Sequence, residues 1–369
     1  MPNQQEQPMP EARTVLMMAA GTGGHVFPAL SVAEALSEKG YQIHWLGTPA
    51  GMENRLVEQA GFPMHRVSIR GLRGKGLMGI ALAPFRIAQA TWQSLKVIRS
   101  IRPGAVVGFG GYIAGPGGVA ARLMGVPLLI HEQNALAGMT NRWLSRIANV
   151  SLQAFPGALS HAKVVGNPVR KSLVASVPRR VTTLADMNIL VVGGSLGAVA
   201  VNNVVLETWK QWPRTKQPAL FHQVGARDHD NMQASYQQSG LMADDSHIRM
   251  QAFIEDMAAA YQWADLVVCR SGALTVSELA AAGKPAILVP YPHAVDDHQT
   301  VNAGYLEKAG AALICQQTDF SVAWLTDTLQ QLIASPETLA DMAIASQACA
   351  VLDATEQTLE QIERIYREC

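Results

Sequence analysis

Chemistry on a charged ligand is written most densely between residues 263 and 302, WADLVVCRSGALTVSELAAAGKPAILVPYPHAVDDHQTVN. The apolar run at 265–269 has the length and valines of a buried strand. Arg270-Ser271-Gly272 turns the chain, and 274–282 reads as a helix stopped by Gly283 and Pro285. Residues 286–289 form the next buried strand. A helix that starts just past a strand turns its unpaired N–H groups and positive dipole end toward the strand's carboxyl edge. That is a site for a diphosphate. Thr275 and Ser277 place hydroxyls in the first turn, and Glu278 puts one carboxylate just inside the helix. An acid there either complements the dipole or accepts two hydrogen bonds from a ribose diol, each charge-assisted bond contributing roughly 1.5–3 kcal/mol.

Other stretches could move a proton or hold an anion. Gly21-Thr22-Gly23-Gly24-His25 puts an imidazole straight after a glycine turn. Histidine titrates near neutral pH, as a general base needs to; the plainer role for His25 is a turn residue bonded to a backbone carbonyl. Residues 108–118, GFGGYIAGPGG, hold six glycines in eleven positions, which read as irregular in the middle and allow a backbone nest around an anion. His131-Glu132-Gln133-Asn134 closes a strand, on the sheet edge where ligands bind in open α/β folds. Glu132 and Tyr112 compete with His25 as the base, and His131 either contacts a ligand or orients its neighbours. Asp228-His229-Asp230 has the D-x-D spacing of a diphosphate-bound metal site. It follows Arg227 at a helix start, where acids serve as caps and dipole partners. Capping is the reading adopted, so no metal is expected, the dipole of the 274–282 helix taking its place.

These groups need a scaffold of parallel strands. A strand at 14–19, the glycine turn, a helix from about Pro28 to Lys39 closed by Gly40 and a strand at 42–46 make a βαβ opening. The turn lacks the G-x-G-x-x-G spacing of a dinucleotide fingerprint. Strands follow at 105–108 and 127–131, and Asn167-Pro168 breaks regular structure. A strand at 188–192, Gly193-Gly194-Ser195-Leu196-Gly197-Ala198 and a helix to about Trp209 repeat the opening. The chain therefore reads as α/β with two doubly wound halves. The expected division is a leader at 1–11, a domain at 12–170, a linker at 171–186, a domain at 187–350 and a last helix at 351–369.

Composition narrows the setting. The chain has 369 residues, 49% of them hydrophobic, enough for two cored domains. Its four cysteines show no C-x-x-C spacing, which fits a reducing compartment and no zinc site. No apolar run approaches the ~20 residues of a membrane span. Net charge is zero, yet residues 1–170 carry 16 Lys/Arg against 7 acids, and no acid occurs between Glu58 and Glu132. Within that gap Arg70, Arg73 and Lys75 precede Leu77, Met78, Ile80, Leu82, Phe85, Ile87 and Trp92. This is either a core-facing helix with a solvated basic face or a patch that dips into an anionic membrane interface. Little aromatic interleaving argues against nucleic acid.

GTGGH at 21–25, GFGGY at 108–112, HEQN at 131–134, GNPVR at 166–170, GGS at 193–195 and CRSGALTVSE at 269–278 occur in an order that resembles the MurG family of bacterial N-acetylglucosaminyltransferases. The resemblance runs from about Thr14 to the C-terminus. It implies a GT-B fold, two Rossmann-like domains facing across a cleft, with the final helix crossing back to the first. It implies no cofactor, UDP-N-acetylglucosamine as donor, and the lipid I intermediate of peptidoglycan synthesis as acceptor. Donor contacts would be Thr22, Gly23, Gly24, Asn134, Arg170, Ser195, Ile254, Ala273, Leu274, Thr275, Val276, Ser277, Glu278 and Gln299. Asp297 would join Gln299 on the sugar hydroxyls. Acceptor contacts would be Gly110, Gly111, Tyr112 and His131, with the loops at 21–24 and 108–118 around the lipid diphosphate. The expected setting is peripheral, on the cytoplasmic face of the inner membrane, with an anionic lipid surface and cell-wall assembly proteins as partners. Two positions depart from the family pattern: Ala20 replaces the first glycine of G-G-T-G-G-H, and Leu196 the glutamine of G-G-S-Q-G-A. Rival readings are a non-hydrolysing UDP-N-acetylglucosamine 2-epimerase and a non-enzymatic membrane scaffold.

Overall fold

A computed structural model of the chain describes residues 13–69, 82–173, 175, 178–194, 197–242, 247–335 and 337–368. The expected leader, the basic glycine-rich loop from Arg70 through Ile80, and the Ser195-Leu196 pair lie outside the described residues. Strands and helices alternate. The chain runs β1 (Thr14–Met18), α1 (Gly23–Glu38), β2 (Gln42–Gly47), α2 (Glu53–Gln59), β3 (Met64–Arg66), α3 (Ala83–Ile101), β4 (Ala105–Gly108), α4 (Ala114–Leu123), β5 (Leu128–Glu132), α5 (Met139–Leu144), β6 (Val150–Gln153) and β7 (Lys163–Val164). It continues with β8 (Asn188–Val192), α6 (Val199–Gln211), β9 (Ala219–Gln223), α7 (His229–Gln238), β10 (Ile248–Gln251), α8 (Met257–Trp263), β11 (Leu266–Cys269), α9 (Ala273–Ala282), β12 (Ala286–Leu288), α10 (His298–Lys308) and β13 (Ala312–Ile314). Helices α11 (Val322–Ala334), α12 (Thr338–Ala348) and α13 (Ala354–Arg367) close it.

Two compact units result. Unit 1 takes in residues up to 133, then 137–168 and 353 onward; unit 2 takes in 134–136 and 169–352. Unit 1 holds a parallel sheet in the order β3-β2-β1-β4-β5-β6-β7. Its central strand is buried on both faces, as a parallel strand covered by helices must be. Val15 and Met17 pack with Val26, Ala29 and Leu36 of α1 and with Leu359, Ile362 and Ile365 of α13. Leu16 and Met18 face the other layer, with Ala90 and Ile98 of α3, Ala120 and Ala121 of α4 and Leu144 of α5. The last helix is thus part of the first unit's core, crossing back as expected. Tyr366 meets Tyr41 edge-on at 5.7 Å, and Lys39 Nζ pairs with Glu363 at 2.7 Å.

Unit 2 repeats the plan with the order β10-β9-β8-β11-β12-β13, also parallel. Ile189 and Val191 of β8 enter a core with Val205 and Trp209 of α6 and with Leu325 and Leu329 of α11. In each sheet the order reverses beside the first strand of the unit, between β1 and β4 and between β8 and β11. Ligands of open α/β sheets bind at the carboxyl edge of such a switch point.

Candidate active site

In unit 2, β11 ends between β8 and β12 at that edge. Helix α9 opens at Ala273, with Gly272 extended at the N-cap and no side chain capping it. The N-cap thus offers no capping side chain of its own, and the backbone N–H groups and positive dipole end of the opening turn of α9 suit an anion. Gly283 ends the helix in the left-handed region at φ 61°. Of the two hydroxyls expected in the first turn, Ser277 Oγ donates instead to the Ala273 carbonyl at 3.1 Å. Ser271, in the turn before, is fully buried, and among the described residues its Oγ has no hydrogen-bond partner.

Glu278 lies one turn further in. The Tyr261 hydroxyl donates to its Oε2 at 3.2 Å. Burial lifts the Glu278 carboxyl above the usual carboxylate range, while the Arg170 guanidinium and the Tyr261 bond pull it back. Asn302 ties the surroundings together: its Nδ2 donates to the Ser271 carbonyl at 3.2 Å and to Asn134 Oδ1 at 3.3 Å, and its Oδ1 accepts from Ala135 N at 2.8 Å. Asn134 and Arg170, expected from the first half, both belong to unit 2. Arg270 donates to the Val289 and Pro290 carbonyls at 3.0 and 3.1 Å and to Gln317 Oε1 at 2.5 Å. It pins the segment leading to Gln299, whose Oε1 accepts from Tyr291 N at 2.9 Å. In that segment Asp296 and Asp297 hold φ of 54° and 52°, left-handed values that cost about 1–2 kcal/mol per non-glycine residue. Ile254 is buried beside Ala252, whose carbonyl accepts from Gln223 Nε2 at 2.8 Å. The same Gln223 brackets Gly194 through both its N–H and its carbonyl, each at 3.0 Å.

In unit 1 the helix after β1 begins at Gly23, not near Pro28, which sits in its second turn. Proline is favoured at the first helical position, which gives Pro28 the look of a helix start. Instead Thr22 is the N-cap, and His25 and Val26 donate to its carbonyl at 3.1 and 3.2 Å. Gly23 and Gly24 are thus the opening turn of α1, with backbone donors at the sheet edge. Glu53, fully buried, accepts from Gly21 N at 3.3 Å and from Thr48 N and Oγ1 at 3.0 and 2.6 Å, bracing this turn from beneath. Ala20 keeps a negative φ, so its departure from glycine costs no backbone strain.

The glycine run splits in two. Gly110 and Gly111 take positive φ, 102° and 80°, and a Cβ on Gly111 would lie 2.2 Å from the Ala20 carbonyl oxygen. Gly115, Gly117 and Gly118 are helical, correcting the irregular loop expected through 118. A Cβ on Gly117 would meet Met18 Sδ at 2.2 Å and one on Gly118 Leu144 Cδ2 at 2.7 Å. Those glycines serve helix packing and are not available to a ligand.

Further expectations need correction. Asp228 sits at the N-cap of α7, but its side chain does not cap the helix. Its Oδ2 accepts from Asn202 Nδ2 at 2.8 Å, facing inward. Asp230 alone complements the first turn. His131, expected at the acceptor, is fully buried, and its Nε2 is 2.9 Å from the Gly166 carbonyl. Glu132 is also buried, its Oε2 accepting from Gly138 N at 3.1 Å and Asn141 Nδ2 at 2.9 Å, which ties down the turn into α5. A carboxylate so engaged is poorly placed to be the base. Tyr112 is exposed on the Gly110–Ile113 turn. His25 is half-buried, with Nδ1 2.9 Å from Gln133 Oε1. The sequence alone assigns no role to Gln133, Glu53, Asn302 or Arg270; only Gln133 carries a signal, its place among four polar residues at a strand end.

The N-terminal domain of glycosyltransferase family 28 matches residues 15–152, and the family's C-terminal domain matches residues 188–358. The chain is 52% identical over 353 residues to the UDP-N-acetylglucosamine--N-acetylmuramyl-(pentapeptide) pyrophosphoryl-undecaprenol N-acetylglucosamine transferase of Chromohalobacter salexigens, covering 94% of this chain and 95% of the relative. It is 49% identical over 350 residues to the transferase of the same name from Pseudomonas fluorescens, covering 94% and 97%. It also resembles the crystal structure of Acinetobacter baumannii MurG, with a TM-score of 0.79 and 43% identity over 95% of this chain and 99% of that one. The chain belongs to the MurG branch of glycosyltransferase family 28. Membership of family 28 makes it a glycosyltransferase of the GT-B class, built from two Rossmann-like units. A UDP-N-acetylglucosamine 2-epimerase structure from Listeria monocytogenes, at 14% identity and a TM-score of 0.66, shares the fold alone.

Proposed function

We propose that the protein transfers N-acetylglucosamine from UDP-N-acetylglucosamine to the C4 hydroxyl of the lipid-linked N-acetylmuramyl-pentapeptide, with inversion at the sugar carbon. What carries this reading is likeness along nearly the whole chain to relatives named for that reaction. Unit 2 takes the donor. The opening N–H groups of α9 meet the diphosphate, Glu278 accepts from the ribose diol, Ile254 offers backbone to uracil, and Gln299 and Asp297 meet the sugar. Ser195, Thr275, Asn134 and Arg170 complete the donor set. Thr22, Gly23, Gly24, Gly110, Gly111 and Tyr112 serve the unit 1 side.

At the anomeric carbon one bond forms and one breaks. The acceptor oxygen attacks the anomeric carbon, its proton passes to His25, and the bond to the phosphate oxygen breaks with its electron pair leaving on UDP. Backbone dipoles at α9 stabilise the charge that develops on the departing diphosphate.

An anionic lipid surface is the proposed seat of the acceptor. The layer formed by α3, α4 and α5 exposes Phe85 (71%), Trp92 (55%), Leu123 (68%) and Trp143 (63%). Lys96 and Arg146 stack over Trp92 and Trp143 at 3.5 and 4.4 Å from the ring centres. The sequence offers no acid between Glu58 and Glu132 to oppose anionic headgroups. Among the described residues no helix is long and apolar enough to cross a membrane, so these side chains would dip into an interface. Placement on the cytoplasmic face of the inner membrane, and roles in cell shape and division, belong to the same proposal.

Labelled UDP-N-acetylglucosamine incubated with a lipid I analogue, with and without chelator, tests the reading. Transfer to lipid that survives chelator is expected; conversion of donor without acceptor would instead identify an epimerase. Glu278→Ala is expected to raise the donor KM roughly tenfold or more, from the loss of charge-assisted bonds. An unchanged KM would remove the ribose role.

A further inference from the structure

We propose that Gln133 and His131 are positioning residues that hold His25 as its Nδ1–H tautomer, leaving the Nε2 lone pair to accept the proton in the transfer. The proposal rests on the base role given to His25 above. Its argument begins at an atom that can only accept. The Gly166 carbonyl is 2.9 Å from His131 Nε2, so that nitrogen carries a proton. His131 is completely buried, stacked on Phe109 with ring centres 5.2 Å apart, and burial lowers its pKa to about 4. The ring is therefore neutral at pH 7, its single proton is on Nε2, and Nδ1 holds a lone pair.

Gln133 Nε2 lies 3.1 Å from that lone pair and 2.9 Å from the His131 carbonyl. Both amide protons are used. Turning the amide over would set its oxygen against two acceptors, so its orientation is fixed. Oε1 then faces His25 Nδ1 at 2.9 Å, and an amide oxygen only accepts. His25 Nδ1 must donate, and the lone pair of the neutral ring is on Nε2. Asn167 Nδ2 holds the Gln133 carbonyl at 3.1 Å, keeping the amide in register. Gly110 fits the same arrangement: a Cβ there would lie 3.0 Å from both Cε1 and Nδ1 of His25.

The choice of tautomer has a chemical consequence. Free histidine in water prefers its proton on Nε2, which would leave the lone pair aimed at the amide. The chain from Gly166 through His131 and Gln133 reverses that preference. When Nε2 takes the hydroxyl proton, Nδ1–H stays on Gln133 Oε1 and no second proton moves. A carboxylate plays this orienting part in the Ser-His-Asp triad; here a neutral amide does so.

Long-range 1H–15N spectra of the full-length protein with 15N-labelled histidine read the tautomer directly, with His25→Ala supplying the assignment. The wild type needs no variant to be informative, and the expected form of neutral His25 is Nδ1–H. Gln133→Met is expected to move His25 toward Nε2–H and to lower kcat about 10–100-fold with donor KM within about two-fold. A wild-type His25 in the Nε2–H form overturns the proposal, and so does a folded Gln133→Met protein whose His25 tautomer is unchanged. If the tautomer is as expected but His25→Ala turns over normally, the base role fails and the hydrogen-bond wiring stands, so the two failures separate.

Discussion

His131 of unit 1 and His222 of unit 2 are each fully buried, each the penultimate residue of a parallel strand, β5 and β9. Desolvation lowers the first to a pKa of about 4 and the second to about 3. Each is paired with an amide whose two protons are already committed. Asn202 donates to the Val224 carbonyl at 3.0 Å and to Asp228 at 2.8 Å, so its Oδ1 accepts from His222 Nε2 at 3.1 Å. His222 Nδ1 then accepts from the buried Tyr236 hydroxyl at 2.8 Å. That network ends inside the unit. In unit 1 the same device leads outward, through Gln133 to a half-buried imidazole. A satisfied buried histidine is a structural feature in one unit and a support for chemistry in the other; what differs is where the amide oxygen points.

The largest expected effect breaks the symmetry of the units outright. Deleting residues 353–369 removes Leu359, Ile362 and Ile365 from the unit 1 core. Each buried aliphatic side chain contributes roughly 1.5–3 kcal/mol, and three approach the whole stability of a domain. Limited proteolysis should then digest unit 1 and leave a resistant fragment of unit 2; equal loss of both would contradict the division. Next comes a contrast in kinetics. His25→Ala should lower kcat by about 10²–10⁴-fold, whereas Asn202→Leu should lower Tm and leave kcat of the folded protein near wild type. A comparable kcat loss in Asn202→Leu would erase the distinction between the two networks.

Acid should act on both units through the histidines. Each has a folded pKa below the 6.5 of the unfolded chain. The unfolded state therefore binds more protons below pH 6.5, and stability falls as pH drops, down to about 4 for His131 and about 3 for His222. The two contributions are on the order of 3–5 kcal/mol each. Tm measured from pH 7 to 4.5 should fall steeply, and a flat profile would show that the rings are not held neutral.

The smallest expected effect is at Glu278. Its folded pKa is raised, so the native state holds the proton more tightly and stability falls as pH rises through that window. Removing the ionisable group removes that loss, so Glu278→Gln should raise the Tm of the ligand-free protein slightly while raising donor KM. A lower Tm would mean that the Tyr261 and Arg170 interactions outweigh burial.

How much of this was legible in the sequence varies with the range of the interaction that decides it. The parallel strands were plain, because runs such as 188–192 and 265–269 are apolar throughout and bounded by glycine turns. The helix at 273–282 was legible from Gly283 and Pro285, and its site character followed from its place after a strand. The start of α1 is hidden locally, because Pro28 resembles a first helical residue while the sheet-edge turn sets the start at Gly23. Gly117 and Gly118 looked like loop residues because their reason for being glycine is Met18 and Leu144, distant in sequence. Asp228 looked like a cap because its partner, Asn202, lies on another helix. Gln133 was visible only as one of four polar residues, and its part depends on His25, 108 positions away.

A crystal structure of the protein with UDP tests the central claim most directly. The account expects the diphosphate oxygens against the N–H groups that open the helix Ala273–Ala282, with the ribose hydroxyls on Glu278 and no metal ion bridging the phosphates. A nucleotide bound away from that helix start, or one held there through a protein-ligated cation, would contradict it.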